Sequence, residues 1–289
     1  MESKSIAIIG LGLMGGSIAK SVKKHLSGTR VLGYNRSKAS LLAAYKDGMI
    51  ANSENPSFDE IGKCDYIFLC LPVQVNVSFA KDLIPHLSDK TVLTDIGSVK
   101  NDICKEMTKL GLSSRFIPGH PMAGSEKSGY AASNDTLLEG ARYILTPDDT
   151  VDTKLFEDFK SFIEALGSLV ITMNPVAHDQ AVAAISHLPH VLSFSYASAI
   201  ADLHKENAVL SEITAGSYRD MTRIALSDPV MWREIFVTNK DEILDVMDVF
   251  TEEIHKLRRL IRHGDFDAID EYIKNAADYQ NEYFKKNKK

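Results

Sequence analysis

The sequence predicts an α/β protein in which a doubly wound, mainly parallel β-sheet is followed by an all-helical part. Up to Met173, short apolar runs of strand length alternate with amphipathic helical stretches, a pattern typical of βαβ units. Asn174-Pro175 is a turn and helix-start signal, and beyond it β-branched runs disappear while long stretches with helical periodicity follow. We therefore expect two domains, residues 1–173 and 174–289.

The expected strands are short apolar runs, and they are Ser5–Ile9, Arg30–Tyr34, Asp65–Leu71, Thr91–Thr94, Arg115–Pro118, Arg142–Leu145 and Leu169–Met173. The expected helices between them are Gly15–Leu26, Lys38–Asp47, Gln74–His86, Val99–Leu110 and Lys154–Ala165. In the second part, Asp241–Arg262 and Asp267–Phe284 each carry one apolar stripe. Val191–Ile200 is apolar on nearly all sides, so we expect it to be buried all round, with a subunit interface as one way to achieve this.

Composition and charge exclude several classes of protein. The 289 residues carry 33 basic and 39 acidic side chains, a net charge of −6, which argues against nucleic acid or an anionic membrane surface as the main partner. No apolar run is long enough to span a membrane, and the glycine-rich N-terminus does not have the pattern of a signal peptide. The three cysteines form no CxxC pair and fit a reducing compartment, so we expect a cytoplasmic protein.

A glycine motif after the first strand predicts a dinucleotide-binding site of the Rossmann type. The segment GLGLMG at 10–15 follows a strand and opens a helix, which is the context that gives a GxGxxG motif its meaning. The first glycine allows a tight turn, the second lets the backbone approach a pyrophosphate, and the third lets helix and strand pack closely. The N–H groups of the helix N-terminus then favour the phosphates. The predicted cofactor-binding residues of this turn are Gly10, Gly12, Leu13, Met14 and Gly15.

The end of the second strand bears on the choice between NAD and NADP. Asn35 stands where an acidic residue would bind the ribose 2′-hydroxyl. An amide can hydrogen-bond a hydroxyl but does not repel a 2′-phosphate, and Arg36 could attract that phosphate or stack on the adenine. We expect NAD as the cofactor, with NADP left open.

Three further strand ends carry residues suited to the reaction site. Pro72 closes the third strand, where we expect it to contact the cofactor through the backbone only. Ser98, in DIGSVK, either faces the reacting atoms or caps the following helix. His120 lies between a glycine and a proline at a strand end, and imidazole is the side chain best suited to take a proton at neutral pH.

The helical part contains one segment, 216–233, that is dense in binding-type residues. It holds Trp232 and three arginines, and arginine is the natural clamp for a carboxylate. Arg219 and Arg223 are spaced to share a helix face, and the alternative for each is a surface ion pair with Asp220 or Asp228.

HLPH at 187–190 interrupts an otherwise apolar helix. No Glu follows the first His as in a zinc-binding HExxH, so we expect no metal site there. His190 is either a substrate contact or a core histidine with its hydrogen bonds satisfied.

Taken together, GLGLMGGS, DIGSVK, GHPMAGSEKSG, HLPH and YRDMTRIALSDPVMW resemble the prephenate dehydrogenase family, over nearly the whole chain. The resemblance implies an NAD-linked oxidoreductase of tyrosine and aromatic amino acid biosynthesis. Its members convert prephenate to 4-hydroxyphenylpyruvate by hydride transfer and loss of carbon dioxide. It also implies a homodimer formed by the helical domain.

The resemblance further implies a role for each matched residue. His120 would deprotonate the 4-hydroxyl, and Ser98 would hold His120 or that hydroxyl near the nicotinamide. Arg223 would bind a substrate carboxylate, while His190 and Trp232 would line the substrate pocket.

The sequence also departs from the family pattern. Asn35 replaces the acidic ribose ligand, and we expect neither a regulatory domain after the helical part nor a chorismate mutase domain before the glycine turn. Arogenate dehydrogenase stays open as the close alternative. A β-hydroxyacid dehydrogenase or imine reductase is disfavoured because no lysine lies between His178 and Ser198. A nucleotide sensor without catalysis would need the glycine turn but not Ser98, His120 and Arg223 together.

Overall fold

Strands and helices alternate through the first 172 residues, and helices follow, as the sequence predicts. A computed structural model describes residues 4–124 and 127–286. The strands in these ranges are β1 (Ser5–Ile9), β2 (Arg30–Tyr34), β3 (Tyr66–Leu69), β4 (Val92–Asp95), β5 (Gly119–Pro121), β6 (Arg142–Leu145) and β7 (Leu169–Thr172). The α-helices are α1 (Leu13–His25), α2 (Lys38–Lys46), α3 (Phe58–Ile61), α4 (Val73–Leu83), α5 (Asn101–Lys109), α6 (Thr153–Ala165), α7 (Pro175–Val182), α8 (Leu188–Glu206), α9 (Gly216–Thr222), α10 (Pro229–Thr238), α11 (Lys240–His263) and α12 (Phe266–Lys286). Ser125 and Glu126, in the GHPMAGSEKSG segment, lie outside the described residues.

The strands form two sheets that bring several strand ends to one edge. The first sheet is parallel, in the order β2-β1-β3-β4, and the second has the order β5-β6-β7 with β5 antiparallel to β6. The chain just before β5 runs parallel to β4, because the Ile117 N–H donates to the Leu93 carbonyl at 2.9 Å. The glycine turn follows β1, Ser98 follows β4, and His120 follows the segment that runs parallel to β4. All three therefore lie at the carboxyl ends of parallel segments, where such sheets bind ligands.

Both faces of the first sheet are covered by helices, which confirms the doubly wound arrangement. Side chains alternate between the faces along each strand. Ile8 and Phe68 belong to a buried cluster with residues of α1 and α6, whereas Ile9 and Leu69 belong to a second cluster with residues of α4 and α5.

Two elements differ from the prediction. The strand expected at Arg115–Pro118 lies instead at Gly119–Pro121, because Ser113–Arg115 forms a 3₁₀ turn and β6 offers its backbone partners further along. Helix α3 was not predicted. Its signal is a capping box, in which the Ser57 hydroxyl accepts from the Glu60 N–H and the Glu60 carboxylate accepts from the Ser57 N–H.

A π-helical turn, Ala183–His187, joins α7 to α8. Pro189 accounts for it, since proline has no N–H and its ring clashes with the carbonyl four residues earlier. Of residues 191–200, all described, Ser193 alone is buried, and Tyr196 is 39% exposed. The expected burial on every side is therefore not reached within one chain.

The chain divides into two compact units, Met1–Asn239 and Lys240–Lys289. In the second unit, α11 ends at a glycine with positive φ, Gly264 at +66°, and contacts α12. The Lys256 ammonium lies 5.4 Å from the ring centroid of Tyr272. The expected domain boundary between residues 173 and 174 falls inside the first unit and stays a prediction.

Cys64, Cys70 and Cys104 are free thiols. Burial raises the pKa of Cys64 to about 11 and that of Cys104 to about 12, so these two remain protonated at neutral pH. A search of the described helices finds none with the length and hydropathy needed to cross a membrane.

Candidate active site

A cavity of about 740 Å³ in the first unit brings the two parts of the sequence together. It is lined by eight predicted site residues, Leu13, Met14, Pro72, Ser98, His120, His190, Arg223 and Trp232. The other five are not part of its lining: Gly10 and Gly12 follow β1, Gly15 lies in the first turn of α1, and Asn35 and Arg36 follow β2.

The glycine turn has the shape of a dinucleotide cradle. Gly10 has φ +105°, and a Cβ there would lie 2.7 Å from the Cys70 carbonyl oxygen. A Cβ on Gly15 would lie 2.0 Å from the Gly10 carbonyl oxygen, whereas one on Gly12 would meet nothing within 4 Å. Gly12 is also the N-cap of α1, and as a glycine it has no side chain that could cap the first turn. The turn therefore leaves open space and uncapped N–H groups where a pyrophosphate would bind.

Asn35 ties the end of β2 to this turn. Its Oδ1 accepts from the Leu11 N–H at 3.0 Å, and its Nδ2 donates to the Ser37 carbonyl at 3.1 Å. The Asn55 amide pairs with both main-chain groups of Asn35, at 2.9 and 3.1 Å. Arg36 is exposed. The adenosine end thus carries neutral amides beside an arginine, which leaves NADP open alongside NAD.

A buried ion pair fixes the strand that carries His120. The Lys100 Nζ lies 2.5 Å from Asp95 Oδ2 and 2.7 Å from the Gly119 carbonyl oxygen, and both charged side chains are fully buried. Asp95 also accepts from the main-chain N–H groups of Gly97 and Gly119, at 2.8 and 3.3 Å. The end of β4 is therefore locked to the start of β5.

His120 is the first member of a buried hydrogen-bonded chain that sequence reasoning missed. Its Nδ1 lies 2.8 Å from His178 Nε2, and His178 Nδ1 lies 2.7 Å from Asp179 Oδ1. Asp179 in turn accepts from the N–H groups of Lys100 and Asn101, each at 2.8 Å. One feature of the sequence could have indicated this hydrogen-bonded chain. It is the polar pair His178-Asp179 in the first turns of a helix, where neither side chain has an evident local partner.

Ser98 faces the cavity and does not cap α5. The N-cap of α5 is Lys100, which makes no side-chain cap bond, and the first N–H groups of the helix go to Asp179. The capping alternative for Ser98 is therefore wrong. Within the described residues, His120 is hydrogen-bonded to His178 and not to Ser98.

Two stacked rings of the helical part, His190 and Trp232, also line the cavity. The His190 ring stacks on Trp232 at 3.9 Å, and Phe194 contacts the same indole edge to face at 5.7 Å. His190 Nδ1 lies 2.8 Å from the Ser186 carbonyl, so Nδ1 carries the proton and Nε2 is left as an acceptor. His190 therefore lines the cavity with one ring nitrogen satisfied by the backbone, and its contact with a substrate stays a prediction.

Arg223 does not share a helix face with Arg219, contrary to the prediction. Helix α9 ends at Thr222 and Arg223 starts a 3₁₀ turn, which places Arg223 in the cavity lining and Arg219 outside it. Within the described residues Arg223 forms no ion pair with Asp228, whose Oδ1 caps α10 by accepting from the Val230 N–H at 2.7 Å. Arg223 thus lines the cavity, and its binding of an anionic ligand stays a prediction.

Burial keeps the cavity histidines neutral. It lowers the pKa of His120 well below the usual value, and the nearby Lys100 ammonium lowers it further. Burial also lowers the pKa of His187 to about 4, although the nearby Asp179 opposes this shift. A neutral imidazole is the form that can accept a proton. Residues 4–124 and 127–286 contain no cluster of His, Cys, Asp and Glu arranged to hold a metal ion.

The depressed pKa of His187 predicts a pH-dependent stability. Between the usual pKa of 6.5 and the folded value of about 4, the unfolded chain binds a proton that the folded chain does not. The free energy of unfolding should therefore fall by about 1.4 kcal/mol for each pH unit of acidification within this window. His187→Gln should show a shallower slope by that amount in denaturant titrations, whereas the exposed control His204→Gln should keep the wild-type slope. Equal slopes in all three proteins would contradict the assignment.

Comparison with known proteins covers almost the whole chain. The family model for the prephenate dehydrogenase nucleotide-binding domain matches residues 18–172, and that for the prephenate dehydrogenase dimerization domain matches residues 174–275. A prephenate dehydrogenase of Bacillus subtilis (strain 168) is 36% identical over 281 residues, which are 96% of this chain and 75% of that protein.

Two solved structures extend the comparison to the fold. A prephenate dehydrogenase from A. aeolicus, in complex with hydroxyphenyl propionate and NAD⁺, has a TM-score of 0.90 and 33% identity, covering 98% of this chain and 99% of that one. Synechocystis arogenate dehydrogenase has a TM-score of 0.83 and 27% identity, covering 96% of this chain and 99% of that one. The chain therefore belongs to the prephenate dehydrogenase family.

Proposed function

We propose that this protein converts prephenate to 4-hydroxyphenylpyruvate by NAD-dependent oxidative decarboxylation, a step of tyrosine biosynthesis. The observation that carries the proposal is the meeting of His120, Ser98, Arg223 and the stacked pair His190–Trp232 on one cavity. Leu13 and Met14, from the start of α1 just after the glycine turn, line the same cavity, so cofactor and substrate would meet there.

The reaction requires three changes in the substrate. The C4–H bond breaks and its electron pair leaves as hydride, for which bound NAD supplies the acceptor. The proton of the 4-hydroxyl passes to a base, which leaves a carbonyl at C4. The ring carboxylate then departs as carbon dioxide, and the electrons of the broken bond complete the aromatic ring while the C4 oxygen takes up a proton as the phenol.

We assign the base to His120 and the orientation of the hydroxyl to Ser98. His120 is neutral by burial and lines the cavity, which meets the two requirements of a general base. Ser98 is half-buried on the same wall, and its hydroxyl can both donate and accept.

We assign substrate binding to Arg223, His190 and Trp232. The substrate carries two carboxylates, and Arg223 offers a planar, permanently charged donor set on the cavity wall. His190 and Trp232 present a flat stacked surface suited to the ring and the side chain of the substrate. Arogenate differs from prephenate in carrying an amino group in place of the keto group, and the likeness to an arogenate dehydrogenase keeps it as the second candidate substrate.

We assign NAD to the glycine turn and its neighbours. Gly10, Gly12 and Gly15 shape the cradle, Leu13 and Met14 begin the helix beside it, and Pro72 contributes through the backbone at the start of α4. Asn35 and Arg36 lie where the adenosine ribose would bind.

We propose that residues 1–173 form the dinucleotide-binding domain and that residues 174–289 form the substrate and dimerisation domain of a cytoplasmic homodimer. The match to a dimerization-domain model over 174–275 supports this, as do apolar side chains left exposed within one chain. Leu203 is 54% exposed and Val237 is 71% exposed. Burying such side chains against a second copy would be favourable. Three free cysteines fit a reducing cytoplasm.

The decisive experiment for the reaction is a rate assay of reduced nicotinamide formation. It crosses prephenate and arogenate with NAD and NADP. We expect turnover with prephenate and NAD, and we expect His120→Asn to lower kcat by about 10²–10⁴, the usual worth of general acid–base catalysis. Full activity of that variant would remove His120 from its role, and silence of the wild type in all four combinations, with NAD binding intact, would overturn the proposed reaction.

Arg223→Ala tests the carboxylate clamp. Loss of one charged hydrogen-bonded pair costs about 1.5–3 kcal/mol, so KM for the substrate should rise roughly 10- to 150-fold with a smaller change in kcat. Arg233→Ala is the matched control, since Arg233 is exposed in the same segment and is not part of the cavity lining. An unchanged KM in Arg223→Ala would exclude the clamp.

Sedimentation velocity tests the homodimer. We expect a species of twice the 32.0 kDa chain mass that persists on dilution to low micromolar concentration. A single species at the chain mass over the whole dilution series would contradict the dimer.

A further inference from the structure

We propose that His178 and Asp179 are positioning residues that select the tautomer of His120, so that His120 Nε2 is the bare nitrogen that takes the proton of the substrate hydroxyl. This inference deepens the proposed function and rests on it. It is carried by the buried hydrogen-bonded chain that begins at the start of α5 and ends at the cavity.

The direction of the chain is set by Asp179. Its two carboxylate oxygens accept the N–H groups of Lys100 and Asn101 at the start of α5, each at 2.8 Å. Both oxygens thus act as acceptors, and a carboxylate can only accept hydrogen bonds. His178 Nδ1, at 2.7 Å from Asp179 Oδ1, must therefore carry a proton and donate it.

The next two bonds follow from the chemistry of neutral imidazole. A neutral ring has one N–H and one bare nitrogen. Since His178 Nδ1 carries the proton, its Nε2 is bare and must accept. The donor 2.8 Å away is then His120 Nδ1–H, which leaves His120 Nε2 bare. His120 lines the cavity, so its bare nitrogen is the one available to a ligand.

The opposite arrangement would require a proton on the pair. If His178 were charged, its Nε2–H would donate to His120 Nδ1, and His120 Nε2 would then carry the proton and could not act as a base. The ionisable groups around the pair are Asp179 from α7, Lys100 with its partner Asp95, and His187 from the π-helical turn. Burial opposes a positive charge on His120, and Asp179 is the one carboxylate bonded to the pair within the described residues.

The same chain would support the charge that forms during the reaction. When Nε2 takes the hydroxyl proton, His120 becomes an imidazolium whose Nδ1–H still donates to His178. His178 in turn donates to Asp179, so the new positive charge is bonded through one neutral ring to a carboxylate. Catalytic bases in other enzymes are likewise oriented by a further hydrogen-bonded group.

Two substitutions at His178 separate orientation from packing. Gln offers an amide oxygen that can still accept from His120 Nδ1–H, whereas Leu removes every acceptor. We expect His178→Leu to lower kcat roughly 10²- to 10³-fold, within the range for loss of general base catalysis, and His178→Gln to retain kcat within about 10-fold of wild type. The dissociation constant of NAD, measured by fluorescence, should stay unchanged in both variants. Equal kcat values for Leu and Gln, in folded proteins that bind NAD, would overturn the proposal.

Nitrogen-15 NMR of histidine-labelled wild type reads the tautomer directly and does not depend on turnover. The shifts of ring nitrogens distinguish protonated from bare atoms, and the His120 signals are assigned by their loss in His120→Asn. We expect His120 to be protonated at Nδ1 and bare at Nε2 at neutral pH. A proton on Nε2 would refute the tautomer assignment even if prephenate turns over. The expected tautomer in a protein that turns over neither prephenate nor arogenate would instead locate the failure in the proposed reaction.

Discussion

The carboxylate of Asp179 is the group on which the arrangement of the site depends. It comes from the first helix of the helical part, yet it binds the N–H groups at the start of α5, directly after the strand end that carries Ser98. Through His178 it also holds His120. The Asp179 side chain thus fixes three groups relative to one another. These are the segment after β4, the start of α5 and His120 on β5. The buried pair Asp95–Lys100 fixes the same strand ends from the other side.

These two carboxylates have different energetic roles. Asp95 neutralises a buried ammonium, and removing either partner of such a pair leaves an uncompensated charge, which typically costs about 3–5 kcal/mol. Asp179 is held instead by two backbone N–H groups and an imidazole. Within the described residues, the negative charge of Asp179 is not neutralised by a lysine or an arginine. It can therefore stabilise the positive charge that forms when His120 gains a proton.

The sheet, the glycine turn and the residues that line the cavity could be predicted from the sequence, because each depends on local patterns. Strand runs, a GxGxxG motif and polar residues at strand ends are readable from short windows. Sequence reasoning missed the partners of His120 because His178 lies 58 residues away, and nothing local to the His178-Asp179 pair indicates that its hydrogen bonds cross to α5. It also placed Arg219 and Arg223 on one helix, since the change from α-helix to 3₁₀ turn at Arg223 has no marker such as proline or glycine nearby.

The amide of Asn35 has a consequence for how cofactor preference can change. Its Nδ2 donates to the Ser37 carbonyl, and Ser37 is the N-cap of α2. A carboxylate at this position would set two oxygens against each other and weaken the turn that starts the helix. Acquiring an acidic ribose ligand at Asn35 therefore requires a second, compensating change at the α2 start. Asn35 is therefore also a structural residue of the β2–α2 turn, so one substitution there changes the turn together with the cofactor contact.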